Sequence, residues 1–123
     1  RRMWRKGDVV ELDFDMRCRL LKGPSGVNQA GDGRVAVAYG PIVLTRDEDV
    51  DKRYNEPVHI VASADGIIQA KRIDPAPNGA RVAFAVPTVE GSIVMTDYAS
   101  ADCWDGSHVR TWLSERLVSR RER

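Results

Sequence analysis

The 123-residue chain is poor in cysteine: it has two, Cys18 and Cys103, and they form no CxxC pair. Two cysteines cannot make a disulfide framework. A zinc site needs three or four converging ligands, and these two cysteines with the two histidines, His59 and His108, are scattered. No apolar run approaches the ~20 residues of a membrane-spanning helix, so that class is excluded. Nineteen Lys and Arg against 18 Asp and Glu leave a formal charge of +1, without the basic excess that phosphate binding requires. There is no GxSxG, no P-loop, no GxGxxG, no internal repeat and no low-complexity tract.

What is present suits one soluble domain. Hydrophobic residues make up 42% and charged residues 30%, too apolar for a disordered chain. At this length a chain buries about two-thirds of its unfolded surface and needs neither disulfide nor metal to fold. The start, Arg1-Arg2-Met3-Trp4-Arg5-Lys6, is followed by no apolar signal-peptide core. Residues 1–123 are therefore expected to be a single domain cut from a longer protein, with 114–123 a polar tail and any targeting signal upstream.

The clearest pattern lies in residues 9–21. Val10, Leu12, Phe14, Met16, Cys18 and Leu20 alternate with Glu11, Asp13, Asp15, Arg17 and Arg19. Period two predicts a strand with one buried and one wet face, and its length predicts a bend, a bulge or a change of sheet partner. Residues 22–33 carry four glycines, a proline and an asparagine, which is loop chemistry. Further short β-rich runs are 34–39, 42–45, 57–62, 67–73, 81–86, 92–99 and 109–113. Asp65-Gly66 and the Pro75 to Gly79 region supply turns. Residues 46–56 are charged and read as loop. About eight short strands with turns between them predict an all-β fold, an antiparallel β-sandwich of jelly-roll-like type.

Few residues invite a chemical reading. His59 reads as a packed or edge histidine, Cys18 as a small buried hydrophobe. Asp47-Glu48-Asp49-Val50-Asp51 resembles a calcium loop, but Lys52 stands at the glycine position and Val58 at the closing glutamate position, which leaves a solvated acidic loop. Glu11, Asp13 and Asp15 share a wet strand face and have no reason to act as acid or base. Trp104 and Asp105, in a loop, are the candidates for sugar contact: an aromatic face stacks on sugar C–H bonds and a carboxylate holds hydroxyls. No catalytic residue, metal site or cofactor is expected.

Three stretches taken together resemble one family. They are Trp4-x-x-Gly7-Asp8-x-Val10-x-Leu12 followed by Met16; Gly33-Arg34-Val35-Ala36-Val37-Ala38-Tyr39-Gly40-Pro41-Ile42-Val43; and Thr96-Asp97-Tyr98-Ala99 with Val109-Arg110-Thr111-Trp112-Leu113. In this order they are similar to the β-rich module that follows the catalytic barrel in glycoside hydrolase family 127, the β-L-arabinofuranosidase-like bacterial proteins. Leu44-Thr45-Arg46 stands where members often carry an aromatic and then an acidic residue. The family's chemistry resides in an (α/α)6 barrel with a glutamate and a zinc-bound cysteine cluster, and neither Cys18 nor Cys103 matches its cysteine motif. The resemblance implies a non-catalytic accessory domain whose partner is the upstream catalytic barrel of the same chain. The alternatives are an independent carbohydrate-binding module, using Trp104 and Asp105, and a homo-oligomerisation domain. Nucleic acid and membrane are not expected partners.

Overall fold

The computed structural model describes residues 3–23, 33–101 and 108–115. Eight strands follow in chain order: β1 (Cys18–Lys22), β2 (Val35–Tyr39), β3 (Ile42–Asp47), β4 (Ile67–Ile68), β5 (Lys71–Arg72), β6 (Ala83–Val86), β7 (Ile93–Asp97) and β8 (Val109–Arg110). One 3-10 turn, Tyr98–Ser100, is the sole helical element among the described residues. All named strand pairs are antiparallel. The fold is all-β, antiparallel and sandwich-like, as the spacing of short strands predicts.

The strand order is β4-β1-β2-β3-β7-β6-β5, with β8 joined to β3. The two ends of this path, β4 and β5, are separated in sequence only by Gln69 and Ala70. The sheet therefore curls until its margins meet in one segment. Ile67 and Ile68 pair with β1, and Lys71 and Arg72 pair with β6. The strand expected over 67–73 is thus one segment that changes partner midway. The core lies inside this curl: Val37, Leu44, Val86 and Met95 are fully buried, with Val35, Phe84, Ile68 and Leu113 packed around them. Tyr39 and Phe84 place their rings 4.7 Å apart, within the range of favourable tilted pairs.

β2 follows its alternation, but neither face is wet, because Ala36 and Ala38 are buried as well as Val35 and Val37. The β2–β3 ladder runs from Tyr39↔Ile42 to Val37↔Leu44. Beyond it residues 109–113 take over: β8 pairs with Arg46 and Asp47, and Leu113 exchanges two backbone hydrogen bonds with Val35 (3.0 and 2.6 Å). In the expected strand 57–62 only Ile60 bridges, to Thr88.

The long first strand is corrected. Regular pairing starts at Cys18, and residues 8–16 run without secondary structure. Val9, Val10, Leu12, Phe14 and Met16 are exposed, Leu12 by 73% and Phe14 by 57%. Cys18 alone realises the buried face at once, at 6% exposure. The alternation is real; what is missing is a sheet for it to lie on. Beyond the Gly40-Pro41 turn, β2 no longer runs beside it. At that turn Gly40 has φ +56° and Met16 lies against it, so a side chain there would meet both strain and the thioether.

Candidate functional site

A cavity of about 440 Å³ opens between the loop after β3 and the turn before β7. Its floor is set by Arg46, expected in a loop but placed at the end of β3 with 2% exposure. A buried guanidinium must be fully hydrogen-bonded to be tolerated. Arg46 places a partner on each of its three guanidinium nitrogens by wrapping the following loop around itself. Its Nε and Nη2 donate to Asp51 Oδ2 (3.0 and 2.7 Å), Nη2 also donates to the Arg53 carbonyl (2.7 Å), and Nη1 donates to the Glu56 carbonyl (2.9 Å). The acidic run is shaped by the same logic. Asp47, 2% exposed, accepts the Asp49 N–H at 2.9 Å, and Asp51 Oδ1 accepts the Arg53 N–H at 2.9 Å. The run is therefore no simple solvated loop: Asp47 and Asp51 are structural.

The opposite rim is the turn 88–91. Thr88 Oγ1 donates to the Gly91 carbonyl and Gly91 N–H to the Thr88 carbonyl. This leaves Glu90 projecting to His59. The Glu90 carboxylate takes the His59 backbone N–H (2.8 Å) through one oxygen and meets ring Nδ1 (2.7 Å) with the other. That hydrogen bond raises the His59 pKa above its ordinary value and lowers that of Glu90. Glu115 adds to the upward push on His59. His59, expected within a strand, is half-buried but lies outside any strand, beside the isolated Ile60–Thr88 bridge.

The second histidine makes a similar pair 60 residues away in sequence. His108 donates its backbone N–H to Glu48 Oε1 and sets Nδ1 3.1 Å from the same oxygen, while Glu48 N–H donates to the His108 carbonyl at 2.8 Å. The His108 side-chain hydrogen bond holds the Glu48 carboxyl below its ordinary pKa. Tyr54 stacks on the imidazole at 6.4 Å. Neither pair was legible from spacing, because each joins residues far apart in the chain.

Asp97 is a third charged group that the sequence did not single out. It closes β7 at 3% exposure. Burial pushes its carboxyl pKa up, but hydrogen bonds from Ser100 Oγ and from the Val82 and Arg81 N–H groups prevail and hold it below the ordinary value. It ties the start of β6 to the 3-10 turn.

An imidazole held by a carboxylate is the base half of a nucleophilic triad. The ring contact shown for His59 is the carboxylate one alone at Nδ1, and among the described residues no group of three or more His, Cys, Asp or Glu could hold a metal ion. Cys18 is buried, and desolvation raises its pKa away from thiolate chemistry. Glu11, Asp13 and Asp15 are exposed, Asp15 being paired with Arg17 at 2.5 Å. Tyr98 is 55% exposed and Trp112 half-buried. Trp104, Asp105 and Cys103 lie outside the described residues. No protein-family model matches the chain, and no curated protein or solved structure matches it either.

Proposed function

We propose that this chain is a non-catalytic accessory domain of a bacterial glycoside hydrolase of the family 127 type, packing against and stabilising an upstream (α/α)6 catalytic barrel. The observation that carries this reading is the arm before β1. Val9, Val10, Leu12, Phe14 and Met16, with Met3 and Trp4 ahead of them, leave a row of large apolar side chains in solvent. Large apolar side chains exposed in such number along one segment are what a contact with another body would cover. The charged groups of the main cavity, meanwhile, hold the fold: Arg46, Asp51 and Glu90 all have partners within the domain.

The reading is tested with the isolated chain and with the full-length protein that carries it. The isolated chain should fold and show no turnover of arabinofuranosides. In the full-length enzyme, Phe14→Asp should lower thermal stability and speed proteolysis at the domain junction. Turnover by the purified isolated chain would overturn the proposal, as would a full-length enzyme indifferent to Phe14→Asp.

A further inference from the structure

We infer that the cavity of about 440 Å³ has one fixed wall and one wall governed by pH: His59 is a proton-operated clasp on the turn 88–91, and the turn loosens as the imidazolium gives up its proton to water. The device belongs to the domain alone and goes beyond the accessory-domain reading.

The two walls are held by different chemistry. The loop 50–56 is organised by Arg46, through Asp51 Oδ2 and the carbonyls of Arg53 and Glu56. A guanidinium keeps its charge at any pH a protein meets, so the cation that shapes this wall is constant. The opposite wall is the turn 88–91 with Pro57 and Val58. The Ile60–Thr88 bridge and the Val89 N–H, which donates to the His59 carbonyl at 2.8 Å, hold the near end of the turn. Its far end, Glu90 and Gly91, is tied to residue 59 through the Glu90 carboxylate. One oxygen accepts the His59 backbone N–H (2.8 Å) and the other meets ring Nδ1 (2.7 Å).

The charged groups that face the imidazole are Glu90, from the turn, and Glu115, from the segment after β8. Val58 N–H, which donates to the Ser114 carbonyl at 3.0 Å, keeps that segment close. Arg53 and Glu56, on the far side of the cavity, pair with each other. An imidazolium facing two carboxylates is compensated by both and makes a charge-assisted bond at Nδ1. A neutral ring has a single N–H. It offers Glu90 at best a neutral bond, and both carboxylates lose their cation. The Glu90 hydrogen bond, joined by the charges of Glu90 and Glu115, raises the His59 pKa. The clasp is therefore closed below the ordinary 6.5 and loosens as pH rises through the raised value.

The test is hydrogen exchange of the 123-residue chain at about pH 6 and about pH 9, corrected for the intrinsic pH dependence of amide exchange. Amides 59 and 88–91 should open locally, faster than the paired amides 93–97. Their protection should fall by about 1.5- to fivefold from the lower pH to the higher, the range of a half-exposed ion pair. The loop 50–56 should show no such fall. His59→Gln keeps a neutral polar side chain and removes the titration, so the fall should vanish. His108 is present in both proteins, and any effect of its own cancels in the comparison. Glu90→Gln should also abolish the fall, and it carries the test if His59→Gln does not fold. Three results would overturn the inference. One is an equal fall in wild type and variant. Another is a fall of the same size over 50–56. The third is exchange of 59 and 88–91 only at the rate of 93–97, which would mean that the turn opens with the whole domain.

Discussion

Replacing Arg46 by Met removes the guanidinium and keeps most of the side-chain volume. Four hydrogen bonds disappear: two to Asp51 Oδ2 and one each to the carbonyls of Arg53 and Glu56. What remains is a carboxylate whose side chain is 17% exposed and two carbonyls that have lost their donor. Removing one partner of a buried ion pair typically costs about 3–5 kcal/mol, because the other charge is left uncompensated. Asp51 keeps some contact with water and the Arg53 N–H, which argues for the lower end, about 3 kcal/mol. A domain of this kind has a total stability of roughly 5–15 kcal/mol, so the loss is large. With a urea m-value of about 2 kcal/mol/M, the midpoint should fall by roughly 1.5 M. Asp51→Asn, which keeps an acceptor but leaves the more deeply buried guanidinium without its counter-charge, should also destabilise. The double variant should be more stable than the sum of the two changes predicts, since it removes both charges together. A midpoint for Arg46→Met within about 0.3 M of wild type would refute the argument, because a loss that small, near 0.5 kcal/mol, is the size of a surface effect.

Other outcomes follow from the same structure. Leu44→Ala, at a fully buried position where β3 leaves β2, should destabilise by about 2–5 kcal/mol in denaturant unfolding. Asp97→Ala should cost about 2–3 kcal/mol in the same assay, because it orphans the Arg81 and Val82 N–H groups. Leu12→Ala, on the arm, should change the stability of the isolated chain by no more than about 0.5 kcal/mol. The His59–Glu90 pair should give stability a pH dependence that Glu90→Gln removes. The His59 pKa is raised, so its contribution is full below its ordinary 6.5 and is lost as pH rises through the raised value. The Glu90 pKa is lowered, so its contribution is full above its ordinary 4.5 and is lost as pH falls through the lowered value. The gap between wild type and Glu90→Gln should therefore be widest between those two values and narrow on both sides; a gap that does not change with pH would count against the pair.

The strands were legible where period two coincides with burial inside one chain, as at Val35, Val37, Phe84 and Val86. The same signal over residues 9–16 predicts a strand that does not form within the described chain, because alternation encodes a face and not a neighbour. Arg46 reads as loop because a charge at a strand end looks solvated; its partners are the Asp51 carboxylate and two carbonyls of the loop that follows, and no residue type announces the carbonyls. Gln69 and Ala70 gave no sign that one segment would serve both margins of the sheet. The two histidine pairs span 31 and 60 residues, beyond the reach of any spacing rule. The sugar-contact candidates Trp104 and Asp105 lie outside the described residues, so the site reading rests on groups found only through contacts.

A β core carries, over residues 8–16, an apolar arm without secondary structure. Amide hydrogen exchange on the isolated chain measures this directly. Residues 9–14 should exchange at close to the rate of an unstructured peptide, while the paired amides of 35–39, 42–47 and 93–97 are protected by opening of the whole domain. Protection of 9–14 equal to that of the β2–β3 ladder, at all chain concentrations, would contradict the account.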